Sequence, residues 1–322
     1  MWTLRSQEVT VVYGRGSIST LSQFKGRRVK VVTTKSLMET SLLKDMLKLT
    51  GGEQVMGPSQ HTPEDQLVQL REALRDAEVV VSLGGGSIID AVKISHEGYH
   101  VSVPTTLSGA EHTTVAGFTR EGTKRSIIRR APDMVILDPD ALRYTPRDLL
   151  VTTGVRALDH AVEALYSVRA SPYTDALARE GFSILYECLW NLEDLLQCQI
   201  GTWLSSQAFM YAGRGLSHIF GYIFGPRFNI PHGVTSCISL AEAIRFNMTF
   251  SREKLRSLGG DSLPSRIESL LERWNVRRRL RDYVSLEEAL RLGEDLAVAN
   301  NSSENPTKMD VLEAVEFIKR VY

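Results

Sequence analysis

"VVVSLGGGSIIDAVK" (79–93) sets an almost wholly apolar run, three consecutive glycines and a segment with helical spacing in immediate succession. It reads as a buried strand turning sharply into a helix. Such a turn brings backbone N–H groups and a helix N-terminus against an anion, typically a phosphate. Ser87 is placed to cap the helix and donate to a phosphate oxygen. A plain strand-to-helix turn is the competing reading, but it does not need three glycines, so phosphate binding is favoured.

Working outward, the first half alternates short apolar runs with amphipathic segments. Strands are expected at 9–14, 29–34, 78–83, 100–104 and 134–138, with helices at 36–50 and 63–77. Strands alternating with helices imply a mostly parallel sheet covered on its faces. After about Pro146 the strand signals stop. Helices are expected at 148–169, 173–197, 200–225, 231–248, 264–280, 285–299 and 307–321. The fold class is therefore an α/β dinucleotide-binding domain, 1–148, followed by an all-α domain, 149–322.

The chain of 322 residues has zero formal net charge, with 24% charged and 43% hydrophobic residues. Nothing global points to nucleic acid or an anionic membrane surface. Three cysteines (Cys188, Cys198, Cys237) form no CxxC pair and no even disulfide framework, which reads as a reducing interior. No signal-peptide layout opens the sequence and no apolar stretch approaches spanning length, so a cytoplasmic, membrane-free protein is expected.

"GGGSIIDAVK" resembles the GGGS-x-x-D-x-x-K signature of the iron-containing (group III) alcohol dehydrogenases. The likeness continues in order through "VPTTLSGAEHT" (103–113), "MVILDPDAL" (134–142), "GVRALDHAVEAL" (154–165), "GLSHIFG…NIPHG" (215–233) and "NPTKMD" (305–310). "HTP" (61–63), "HAVEALYS" and "FNIPHG" resemble the maleylacetate reductase branch most. The resemblance implies a cleft between an α/β and a helical domain, holding NAD or NADP and a small carbonyl or alcohol substrate; a homodimer is expected. Carried over residue by residue, the cofactor contacts fall on Gly84, Gly85, Gly86, Ser87 and Asp90 around the pyrophosphate. Thr105, Thr106 and Ser108 match a phosphate- and nicotinamide-contacting loop, and Lys124 a ribose-contacting lysine. Read from the residues alone, Asp90 is equally a carboxylate favoured by the helix dipole. Thr34 stands after the second strand, where NAD-preferring members carry an aspartate, and Lys35 follows it.

Of seven histidines, His61, His96 and His100 carry only the ordinary reading of packed or surface residues. His160, His218 and His232 match the family's metal-binding segments, and three imidazoles with an open position suit a divalent iron or zinc ion. The fourth ligand, an aspartate four residues before the first histidine, falls on Arg156. Guanidinium has no lone pair to give a metal. Asp159 is no simple replacement, lying about 100° around the helix from His160. Tyr222 stands where the family has a further histidine. Arg156 is therefore expected to weaken the metal site and take over its electrostatic role, with Tyr222 or His232 as proton donor. The leading reading is an NAD(P)-dependent oxidoreductase for a small carbonyl or alcohol substrate, its carboxylate suited to pair with Arg156. A non-catalytic nucleotide-binding homologue is the alternative, and a repurposed fold such as that of the dehydroquinate synthases is a third.

Overall fold

The computed structural model describes residues 8–59, 62–120 and 123–322, without the side chains of 123 and 124. His61 thus lies outside the described residues. The chain divides into two compact units, Met1–Pro146 with Asp194–Gln199, and Arg147–Glu193 with Ile200–Tyr322.

The first unit holds β1 (Thr10–Tyr13), β2 (Val29–Thr33), α1 (Ser41–Thr50), β3 (Glu53–Met56), α2 (Glu64–Ala73), β4 (Val79–Gly84), α3 (Gly86–Ser95), β5 (Tyr99–Pro104), β6 (Val115–Arg120), β7 (Thr123–Ile128), β8 (Met134–Leu137) and α4 (Pro139–Leu142). Six strands form one parallel sheet in the order β1-β8-β5-β4-β2-β3, and β6 and β7 form a separate antiparallel pair. Both faces of the sheet are buried, which is why its central strands are apolar runs rather than alternations. Val79, Val81 and Leu83 pack with Leu43 and Met46 of α1 on one face. Val80 packs with Leu67 and Leu70 of α2 and Ile88 and Val92 of α3 on the other. β2 and β4 are neighbours whose onward connections leave in opposite directions, to β3 and to β5. That is the switch point at which such sheets bind ligands beyond the strand C-termini.

The second unit is helical: α5 (Arg147–Tyr166), α6 (Pro172–Asn191), α7 (Leu195–Ala212, from Ile200 onward), α8 (Leu216–Arg227), α9 (His232–Gly259), α10 (Leu263–Arg273), α11 (Leu286–Leu290), α12 (Gly293–Asn301) and α13 (Val311–Val321). A core of Phe220, Phe224, Leu296, Phe317 and Ile318 joins α8, α12 and α13. α5 packs on α6, α8 and α9 and is buried all round from Gly154 to Tyr166.

Several details correct the sequence reading, among them the helices read over 200–225 and 285–299, each of which is broken in two. β3 and the β6–β7 pair were not expected. The segment read as one helix over 173–197 breaks after Asn191, where Leu192 takes a left-handed backbone (φ 59°). On one continuous helix Cys188 and Cys198 would stand about 15 Å apart, beyond bridging; with the break they are disulfide-bonded, and Cys237 alone is a free, buried thiol. The N-cap of α3 is Gly85, without a side-chain cap, so Ser87 lies inside the helix and does not cap it. No helix among the described residues is long and apolar enough to cross a membrane.

Candidate active site

The glycine turn closes β4 and opens α3 at the C-terminal edge of the sheet. A Cβ on Gly85 would lie 2.9 Å from Thr106 Cγ2, and one on Gly86 would lie 3.1 Å from Ser108 Oγ. Glycine is thus required for the turn to sit against the loop after β5, which Thr105 ties down by donating its N–H to the Gly84 carbonyl (3.0 Å). The hydroxyls of Thr106 and Ser108 are buried beside the turn, with no hydrogen-bond partner among the described residues. Two orphaned donors at an uncapped helix N-terminus are the donor set that a pyrophosphate satisfies. These residues therefore fit a dinucleotide.

Asp90 is engaged elsewhere. Its Oδ2 accepts the Gly117 N–H (2.9 Å) and its Oδ1 pairs with Lys93 Nζ (3.3 Å). Lys93 is itself buried and donates to the carbonyls of Ala110 (2.6 Å) and Val115 (3.0 Å), clamping α3 to the segment that leads into β6. Thr34 caps no bond of its own and exchanges a hydrogen bond with Ser36 Oγ (3.0 Å) just beyond β2. Lys124 belongs to β7, paired with Thr119, and its side chain lies outside the described residues.

In the helical unit, Arg156, Asp159, His160 and Glu163 follow one another at i, i+3, i+4 and i+7 along α5, so a fully buried helix carries one polar stripe. Arg156 donates from Nη1 to Ser236 Oγ (2.9 Å) and from Nη2 to His232 Nε2 (2.7 Å). Gly221 lies beside it and lets α8 approach α9, since a Cβ there would lie 2.7 Å from Thr235 Oγ1, while Nη1 would be in ordinary contact at 3.4 Å. Asp159 Oδ2 lies 3.6 Å from Nη1 and accepts from Ser236 (2.7 Å) and Ser217 (2.6 Å). Glu163 accepts the N–H groups of Gly215 (2.7 Å) and His218 (3.1 Å) at the start of α8, and its Oε2 is 2.7 Å from His218 Nδ1. Burial pushes the Asp159 carboxyl up to about 6 and the Glu163 carboxyl up to about 7. His160 packs against the rings of Phe209 and His218, which also touch each other (centroids 4.3 Å apart), bonds Ser206 Oγ through Nδ1 (3.1 Å), and is held neutral by burial well below its ordinary range. Tyr222 meets His232 edge-on, ring centroids 5.9 Å apart, with the Arg214 guanidinium 5.1 Å over its ring.

His160 and His218 are thus brought together, while His232 is drawn to Arg156. Among the described residues, the one group of three donors close enough to share a cation is Asp159, Glu163 and His218. Guanidinium only donates, so it occupies the lone pair of His232 Nε2; Asp159 Oδ2 and both Glu163 oxygens accept protein hydrogen bonds, while Asp159 Oδ1 has no partner among the described residues. As folded, these residues do not fit the metal site that the resemblance implies. Sequence reasoning set Asp159 aside and missed Glu163, Ser217 and Ser236. The i, i+3, i+7 spacing from Arg156 was the signal available for the two acids.

A family model for iron-containing alcohol dehydrogenases matches residues 9–139, and one for the C-terminal region of the Fe-containing alcohol dehydrogenase family matches 150–322. The chain belongs to this family. It sits in the maleylacetate reductase branch. Maleylacetate reductase 1 of Cupriavidus pinatubonensis is 27% identical, over 98% of this chain and 96% of that protein. Maleylacetate reductase 1 of Rhodococcus opacus is 31% identical, over 77% of this chain and 75% of that protein. The structure of an iron-containing alcohol dehydrogenase from Thermococcus thioreducens shares the fold at a TM-score of 0.87, with 23% identity and 99% of each chain covered. This family member is an NAD(P)-dependent oxidoreductase.

Proposed function

We propose that the protein reduces the carbonyl of a small carboxylated substrate, or oxidises the corresponding alcohol, using a buried guanidinium where its family uses a metal ion. One observation carries this reading. Arg156, 3% exposed, stands at the position matching the aspartate ligand and bonds both Ser236 and His232. The maleylacetate reductases among its relatives support the carboxylated class.

Gly84, Gly85, Gly86, Thr106 and Ser108 would hold the dinucleotide, which when bound supplies or accepts the hydride. The rest is work for the chain's own side chains. Burial lowers the Arg156 guanidinium below its ordinary range, with Asp159 and Glu163 opposing the shift, and it still carries its charge at neutral pH. Because Arg156 can only donate, neutral His232 accepts at Nε2 and carries its proton on Nδ1. His232 is then a fixed hydrogen-bond donor for the substrate oxygen, backed by a cation that favours the developing negative charge. The Tyr222 phenol, edge-on to His232, is the proton donor in this scheme.

The test is metal analysis of the purified protein alongside NADH and NADPH oxidation with carboxylated carbonyl compounds. The expected result is well under one iron or zinc per chain and activity indifferent to chelator. Arg156→Asp should raise metal content, because it returns a carboxylate to the stripe beside His160 and releases His232. Stoichiometric metal in the unmutated protein, with activity lost to chelator, would overturn the proposal.

A further inference from the structure

Arg214 precedes α8 and is exposed, with its guanidinium stacked on the outer member of the Arg156–His232–Tyr222 series. It makes no ion pair with a carboxylate among the described residues; its backbone N–H, not its side chain, bonds Glu304 (3.1 Å). At the inner end, Arg156 Nε is buried with no partner among the described residues. Arg214 and Arg156 place positive charge at the two ends of this row; Asp159 and Glu163 are fully buried behind Arg156, and Glu304, whose Oε2 accepts the Arg214 N–H, has its Oε1 3.6 Å from the Arg169 guanidinium. The two guanidinium groups disfavour a cation along this row, whereas a carboxylate meets charge-assisted donors.

We propose that Arg214 is a specificity-determining residue that binds an anionic group of the substrate, forming an anion subsite beside the Tyr222–His232 pair. This rests on the proposed carbonyl chemistry for its placement: the substrate oxygen at His232, the carboxylate one phenol ring further out at Arg214. The ligand class is a short oxo acid. Lying over the Tyr222 ring at 5.1 Å restrains the guanidinium and lowers the ordering cost of a contact with a carboxylate.

The probe is maleate, an unreactive dicarboxylate, titrated by calorimetry into the full chain, Arg214→Gln and Arg214→Lys. Maleate should bind the unmutated protein, at least tenfold more weakly to Arg214→Gln, with Arg214→Lys between them because it keeps charge but loses the fork. Thermal unfolding of all three should coincide, since the side chain is exposed. In parallel, the ratio of kcat/KM for 4-oxobutanoate to that for butanal should fall at least tenfold in Arg214→Gln, through KM for the acid. Equal maleate affinity in the unmutated protein and Arg214→Gln, no saturable maleate binding at all, or an unchanged ratio would each overturn the subsite. Arg214-dependent maleate binding without turnover of any carbonyl would instead keep the subsite and refute the oxidoreductase chemistry placed beside it.

Discussion

Replacing Arg156 by Met and Asp159 by Asn, singly and together, probes whether the two charges on α5 stabilise one another. At 3.6 Å and an effective dielectric near 20, unit charges attract by about 5 kcal/mol before desolvation is subtracted. Removing one partner leaves the other buried and uncompensated, at a typical cost of about 3–5 kcal/mol, whereas removing both costs much less than the two losses combined. The carboxyl has an escape: without the guanidinium its acidity falls further from about 6, and it takes a proton. The cycle is therefore measured by urea unfolding at pH 8, where that escape is smallest. The expected coupling is about 2–3 kcal/mol, shrinking at pH 5.5 as Asp159 is protonated in the Arg156→Met background. Additivity within about 0.5 kcal/mol at pH 8 would refute the idea that these charges form a unit.

Gly85→Asp places a carboxylate against Thr106, where the glycine turn would hold a pyrophosphate; calorimetry should show dinucleotide affinity lost while the circular dichroism of the fold is kept. Thr34 brings no carboxylate beyond β2 and Lys35 is exposed there, so NADPH is expected to be accepted; a hundredfold preference for NADH, about 2.7 kcal/mol, would contradict this. Glu111, fully buried, has its carboxyl pushed up to about 7 by burial. The folded chain therefore binds this proton between about pH 4.5 and pH 7 and the unfolded chain does not. The stability it contributes is full below that window and lost as pH rises through it. Relative to Glu111→Gln, the unmutated protein should lose about 3 kcal/mol of stability between pH 4 and pH 8, read from paired urea titrations.

The parallel sheet was legible because strands buried on both faces are written as runs such as Val79–Val81, and the glycine turn because three glycines in a row have few other uses. The edge strand β3 was not, since Glu53, Gln54 and Met56 are exposed. Nor was the break between α6 and α7, where Leu192 adopts the left-handed backbone without the glycine that would announce it. In the helical unit the sequence pointed to the right helix and the anomalous arginine. It did not show that Arg156 turns toward Ser236 and His232, because those partners come from α9, nearly eighty residues later. Asp159 was set aside on its angle from His160, a fair argument about sharing a ligand with that histidine. Its actual partners, Ser217 and Ser236, sit on other helices and leave no trace in local spacing.

The clamp that Lys93 makes between α3 and the carbonyls of Ala110 and Val115 bears on the heat of nucleotide capture. Both walls of the phosphate cradle, the glycine turn and the loop carrying Thr106 and Ser108, are anchored before any nucleotide arrives, through that ammonium and through the Thr105 N–H on the Gly84 carbonyl. Little backbone entropy then remains to be lost on binding. Capture should look like docking to a rigid surface: an association rate free of a slow conformational step, and amide-exchange protection around 84–88 and 105–110 that is high in the free protein and rises only slightly in the complex. Lys93→Met should reverse this, leaving the cradle to be ordered by the nucleotide itself, with a slower approach to saturation and a larger unfavourable entropy.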